Sequence, residues 1–267
     1  MNKDQLIHDL NLLREKAPLV HNITNYVVMN STANALLAIG ASPVMAHAIE
    51  EVKDMVAIAS TLVINMGTLS EKWVDAMLIA GGAANTRGIP VIFDPVGAGA
   101  TPYRNMVAAS IIKICKPAII RGNASEIMSL AKENTTTKGV DSTASSNSAL
   151  AAAKRLAQQT GAIVVISGAE DFITDGNTIY SVKNGSSLMS KVTGMGCTAT
   201  SIIGAFAAVN SNFILAATHA MAVMGVTGEL AAIKANGPGT MQLHFLDELY
   251  NLTPETLSGR SRIVLST

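Results

Sequence analysis

The sequence predicts a three-layer α/β fold, a mostly parallel central sheet with helices on both faces, read as one domain over residues 1–267. Three observations carry that prediction. Short β-branched runs alternate with longer helical patterns. The runs are continuously apolar, as strands covered on both faces must be. The chain has 267 residues with 49% hydrophobic content, enough to bury a large core without a disulfide or a structural metal.

The elements follow in chain order. Leu6, Leu10 and Leu13 make a helical stripe with charges between them, unlike the unbroken apolar core of an export signal. STANALLAIG reads as a helix stopped by Gly40, and PVMA after it as a strand. The runs TLVINMG (61–67), PVIFDP (90–95), PAIIRG (117–122) and AIVVISG (162–168) are the expected parallel strands. Between them lie helices from Ser70 to about Arg87, from about Tyr103 to Cys115, from Asn123 to about Lys132, and from Ser145 to Gln159. DFITDGNTIYSVKN, with Gly176-Asn177 between two β-rich runs, reads as a hairpin at one sheet edge and makes the sheet mixed. No repeat or Pro/Gly/Ser linker divides the chain, although KENTTTKGVDSTASSNS (132–148) is polar enough for an exposed loop.

From Val192 to Gly228 there is no Asp, Glu, Lys or Arg, a run long enough to span a membrane. Asn210-Ser211-Asn212 interrupts it, and Thr218 and His219 lie within it, so two buried Ala-rich helices joined by a polar turn are the simpler account. Lys+Arg and Asp+Glu are 19 each, with no basic run or Arg-aromatic interleaving, which argues against nucleic acid and anionic membrane and for a small-molecule partner. Cys115 and Cys197 stand far apart and in no metal-ligand spacing, so neither a disulfide framework nor a zinc site is expected and a reducing cytoplasm fits.

Several strands end in polar or glycine residues: Asn65-Met66-Gly67, Asp94-Pro95-Val96-Gly97, Arg121-Gly122-Asn123 and Ser167-Gly168. Parallel strands bring these ends to one rim, where the ligands of such sheets sit. In VTGMGC, Gly194 and Gly196 let the backbone approach an anion at the start of a helix, or else serve close packing. GMGCTA matches a dinucleotide motif in form only. It lies late in the chain, and no acid exists between Asp175 and Glu229 to hold a ribose about twenty residues on. NASE (123–126) is a capping box, with Asn123 and Glu126 satisfying each other's backbone, or places Glu126 near Mg2+ through water beside a triphosphate. Asp94 before Pro95 is a turn-former or a metal and phosphate residue. Arg121 ends an apolar strand, where a guanidinium reaches phosphate oxygens. Met45 and His21 alone read as core residues.

Together these residues resemble the hydroxyethylthiazole kinases of thiamine salvage, within the ribokinase-like superfamily. VHNITNYVVMNSTANALLAIGASPVMAHA, INMGTL, FDPVGAGAT, RGNASEI, ISG, VTGMGCTAT and NGPGTMQLHFLDELY correspond in order and span nearly the whole chain. The resemblance implies a ribokinase-like fold, a cytoplasmic homotrimer with sites between neighbouring subunits, ATP as donor and Mg2+ as cofactor. It implies transfer of the γ-phosphoryl of ATP to the alcohol of 4-methyl-5-(2-hydroxyethyl)thiazole. It assigns Asn25, Val27, Met45, Gly67 and Gly194 to the thiazole, Arg121, Ser167 and Gly196 to ATP, and Asp94 and Glu126 to the metal. Ser167 stands where related sequences often carry Thr, and Met195 where Thr or Ser is common.

Superfamily relatives usually place an Asp at the position of Cys197, as base for the acceptor hydroxyl. The resemblance therefore makes Cys197 the catalytic candidate, with packing as the alternative, and a thiol at a helix N-terminus is expected to have a lowered pKa. Two other readings remain: a different ribokinase-like activity, such as an NAD(P)HX dehydratase or a hydroxymethylpyrimidine kinase, and a catalytically silent thiazole sensor. The first group keeps the acid that this chain lacks, and a sensor has no need of the phosphate residues.

Overall fold

The computed structural model describes residues 3–133 and 146–266. In order the elements are α1 (Lys3–Lys16), β1 (Leu19–Ile23), α2 (Met29–Ile39), β2 (Ser42–Val44), α3 (Val52–Ile58), β3 (Thr61–Asn65), α4 (Glu71–Arg87) and β4 (Val91–Asp94). Then come α5 (Pro102–Cys115), β5 (Ile119–Asn123), α6 (Ala124–Glu133), α7 (Ser146–Thr160), β6 (Ile163–Ser167), β7 (Asp171–Thr174) and β8 (Ile179–Val182). A 3₁₀ turn (Ser187–Lys191) leads to α8 (Met195–Ala207), α9 (Phe213–Lys234), α10 (Pro238–Asn251), α11 (Pro254–Arg260) and β9 (Ile263–Ser266). The greater part of the polar stretch 132–148, expected as a loop, lies outside the described residues.

Among the described residues the strands form one nine-stranded sheet in the order β2-β1-β3-β4-β5-β6-β7-β8-β9. Neighbours from β2 to β6 are parallel, and β6 to β9 pair antiparallel. Successive side chains of each strand enter opposite layers, because strand side chains alternate with a period of two. Val63, Ile92, Ile119 and Val165 join a core with α1, α2, α8, α9 and α10. Leu62, Ile64, Phe93, Ile120 and Val164 join the other, with α3 to α7. Both faces are covered, which is why the strands read as unbroken apolar runs.

Three departures from the expected elements have physical causes. Strand β1 carries His21 and Asn22, which break its apolar pattern, yet both are buried and bonded: His21 Nε2 lies 2.8 Å from the Ala46 carbonyl, and Ser201 Oγ donates to Asn22 Oδ1 at 2.8 Å. The hairpin of β7 and β8 is present, but β9 pairs outside it and is the true edge. Helix α3 has 7 residues, too short for a periodic pattern to show. The uncharged run divides into α8 and α9 as expected. Helix α9 is long and apolar enough to cross a membrane, but 72% of its most apolar window is buried inside the fold. It is the central helix of its layer.

Candidate active site

Register sets the rim. Asn65 pairs with Asp94 across β3 and β4, and Asn123 pairs with Ser167 across β5 and β6, so these strand ends stop at matched levels. Asp94 is buried at the centre, with Oδ2 accepting from Thr200 Oγ1 at 2.7 Å and Asn65 Nδ2 at 3.0 Å. Arg121 lies 3.8 Å from the same oxygen and also donates to Ser167 Oγ. Burial pushes the Asp94 carboxyl up to about 6, against Arg121, Thr200 and Asn65, which favour its charge. Two atoms here are buried without a partner: Asp94 Oδ1 and Arg121 Nε. Buried polar atoms are almost always paired, so these two are poised for a ligand.

A chain of amides joins this centre to the neighbouring strand. Asn65 Oδ1 accepts from Gly67 N at 2.9 Å and from Asn25 Nδ2 at 2.9 Å. Asn25 Oδ1 accepts from Val27 N, and its Nδ2 also donates to Cys197 Sγ at 3.6 Å. The backbone N–H on each carbonyl oxygen fixes which way each amide points. Gly67 packs against the Asn25 amide, 2.6 Å from where a Cβ would stand. Arg104 donates to the carbonyls of Met66, Gly67 and Val96, tying two rim loops together.

The glycines of VTGMGC are needed for shape. Gly194 caps α8 at φ 87°, a left-handed conformation, with Val28 2.8 Å from a would-be Cβ. At Gly196 a Cβ would meet the Arg121 guanidinium at 2.6 Å. Cys197 follows in the first turn of α8, where backbone N–H groups have no partner within the helix. The thiol departs from expectation. Burial, then the nearby Asp94 charge, push it up to about 11, outweighing Asn65, Arg121 and Asn25, so it is neutral in the ligand-free protein. A helix N-terminus acts on a thiolate only where desolvation does not exceed it.

NASE is a complete capping box: Asn123 Oδ1 accepts from Glu126 N at 3.0 Å, and Glu126 Oε2 accepts from Asn123 N at 2.8 Å. Glu126 Oε1 also takes Gly97 N at 2.8 Å, joining the loop after Asp94 to α6. Among the described residues no group of three or more His, Cys, Asp or Glu could hold a metal ion. Val27 joins this network only through its backbone N–H, its side chain being 67% exposed, and Met45 is half-buried beyond β2. Beside Arg121, Ser167 and Gly196 opens a cavity of about 600 Å³, walled further on by Asn184, Met221 and Met224. Among the rim residues, sequence reasoning places Asn65 at a strand end without a role and passes over Thr200 and Asp171. Asn65 and Asp171 carry the signal of a polar residue at a strand end, and Thr200 lies one turn beyond Gly196.

A family model described as the hydroxyethylthiazole kinase family matches residues 10–255. The hydroxyethylthiazole kinase of Syntrophus aciditrophicus (strain SB) is 59% identical over 253 residues, covering 94% of each chain. That of Leptospira biflexa serovar Patoc is 57% identical over 251 residues, again with 94% of each covered. The solved structure of the hydroxyethylthiazole kinase protein from Pyrococcus horikoshii OT3 superposes with a TM-score of 0.92 at 38% identity, over 99% of this chain and 100% of that one. The pyridoxal kinase from Staphylococcus aureus in complex with ADP shares the fold, with a TM-score of 0.66 at 14% identity over 93% and 99% of the chains.

Proposed function

From the premise that the chain belongs to the hydroxyethylthiazole kinase family, we propose how its rim divides the labour of phosphoryl transfer. The protein is a kinase of thiamine salvage, passing the γ-phosphoryl of ATP to the hydroxyl of 4-methyl-5-(2-hydroxyethyl)thiazole. In our reading residues 1–267 make one kinase domain. Arg121, Ser167 and Gly196 hold the phosphates, and Asn25, Val27, Met45, Gly67 and Gly194 surround the thiazole. The observation that supports this most is the pair of orphaned atoms, Asp94 Oδ1 and Arg121 Nε, buried where the amide chain meets Arg121, a residue that also lines the 600 Å³ cavity.

The same orphaned carboxylate oxygen fits a divalent cation. Asp94 would hold Mg2+ and Glu126 would reach it through water, since magnesium takes one or two carboxylates and keeps several waters. When bound, the cation neutralises charge on the phosphate oxygens. The protein's own part is positioning. Arg121 places a fixed positive charge beside the transferred group, and the α8 N-terminus adds backbone N–H groups. As a thiolate, having first released its own proton to solvent, Cys197 Sγ, held by the Asn25 N–H, takes the acceptor hydroxyl's proton as that oxygen bonds phosphorus. A loose transition state asks little of a base, so a small thiolate fraction in the resting protein is compatible with turnover.

The exposed Val27 and Tyr26 support a homotrimer in which a neighbouring subunit completes the thiazole site. Two unpaired cysteines fit a cytoplasmic setting. The test is to supply the purified protein with ATP, Mg2+ and a panel of thiazole and pyrimidine alcohols and to measure ADP release. Selective turnover of hydroxyethylthiazole is expected. Tight thiazole binding without turnover of any alcohol would overturn the kinase reading in favour of a sensor.

A further inference from the structure

The sheet acts as a ruler for the donor nucleotide. Neighbouring strands lie about 4.8 Å apart, and the rim presents one polar residue per strand: Asp94 ending β4, Arg121 in β5, Ser167 ending β6, Asp171 opening β7, and Asn184 two residues past β8. Because β7 runs antiparallel to β6, its first residue reaches the same rim as the last residue of β6. On the kinase reading above, on which this inference rests, the phosphates lie over β4 to β6. The next link of a nucleotide is its sugar, which then falls over β7. The base follows over β8, against Met221 and Met224 of α9.

Asp171 is the residue that needs explaining there. It lines the same cavity as Arg121 and Ser167 and is 7% exposed. A carboxylate beside a triphosphate is repulsive, so it is tolerated only where it meets a neutral donor or a cation. Oδ1 accepts from Gly168 N at 3.0 Å, and among the described residues that is the one hydrogen bond of this side chain. The other oxygen is left as a strong acceptor in the cavity. Two adjacent hydroxyls of a sugar are donors of the kind it lacks. Burial also holds its carboxyl up to about 6, against the Gly168 N–H and the nearby Arg121 charge.

We propose that Asp171 reads the ribose of the donor nucleotide, its free oxygen accepting a hydrogen bond from a ribose hydroxyl and so selecting ribonucleotides over deoxyribonucleotides. Calorimetry with ADP, 2′-deoxy-ADP and 3′-deoxy-ADP tests this without any acceptor alcohol. The parent is expected to bind ADP about ten- to a hundredfold more tightly than at least one deoxy analogue, the range of a hydrogen bond to a charged group. In Asp171→Ala that preference should collapse, with the loss falling on ADP. Should Asp171→Ala fail to fold, Asp171→Asn keeps an oxygen for Gly168 N and should still shrink the preference several-fold. Equal binding of all three nucleotides by the parent overturns the proposal. So does an equal loss for all three in the variants, which would make Asp171 a turn-former alone. ADP binding with the expected preference but no thiazole turnover would leave this inference standing and fell the acceptor assignment. No ADP binding at all would fell both.

Discussion

Cys197 has a thiol that the ligand-free protein keeps neutral, and that has a direct readout. Its shift from 9.0 to about 11 makes thiolate about a hundredfold scarcer near pH 7.5. Alkylation by iodoacetamide should therefore be slower than that of free cysteine by a similar factor and rise steadily to pH 10. Cys115 does not confuse the measurement, being wholly buried and pushed up to about 12. If the thiolate takes the proton during transfer, Cys197→Ala should lower kcat by about ten- to a thousandfold, weighted towards the low end because the transition state is loose, and leave the KM for ATP unchanged. Full activity of that variant from pH 6 to 9 would reduce the cysteine to packing. Arg121→Ala should raise the KM for ATP with thiazole binding intact. Asp94 gives the opposite kind of result. Its carboxyl binds a proton more tightly folded than unfolded, at about 6 against 3.8, so its contribution to stability falls as pH rises between those values. Asp94→Asn should lose activity yet gain thermal stability, by nothing near pH 4 and by about 3 kcal/mol above pH 6. A melting-temperature difference that is flat with pH would contradict this.

Between elements, close approach is the rule that the sequence pattern hides. Gly81 on α4 faces Cys115 on α5, and a Cβ at Gly81 would stand 2.2 Å from the sulfur. Gly81→Ala should cost about 1–3 kcal/mol by overpacking, and adding Cys115→Ala should recover most of it. Urea unfolding of the single and double variants checks the coupling; equal losses in both would place the cost elsewhere. Such contacts mark what could and could not be read beforehand. The apolar runs of β3 to β6 declared themselves, as did the helices between them, because burial on both faces leaves a continuous signature. Strand β1 did not, since its polar residues find partners in α8 and the loop after β2, far along the chain. The candidate site was half legible. Asp94, Arg121 and the 194–197 turn showed as polar or glycine residues at element ends. The Asn25–Asn65 bridge did not, because it depends on how the ends of β1 and β3 meet.

At the scale of the molecule, the proposed site runs along the rim from acceptor to donor: Asn25 and Asn65 on one side, Asp94 and Arg121 in the middle, and the cavity over β6 to β8 on the other. Exposed apolar residues at the proposed acceptor end include Tyr26 and Val27. A variant made monomeric by charge at these positions should keep its ADP affinity and lose thiazole binding, which light scattering paired with calorimetry would show. Thiazole bound by the monomer at full affinity would mean that one subunit suffices. The donor end owes its structure to chain made late, and α9 in particular is covered by α8 and α10. As the chain emerges from the ribosome, α9 is exposed before α10 can dock on it, as a helix long and apolar enough by length and composition to cross a membrane. Until α10 docks, the nascent chain is a client for chaperones and a target for mistaken insertion. Ending the chain at residue 237, before α10, should therefore leave α9 uncovered and sharply reduce the yield of folded protein.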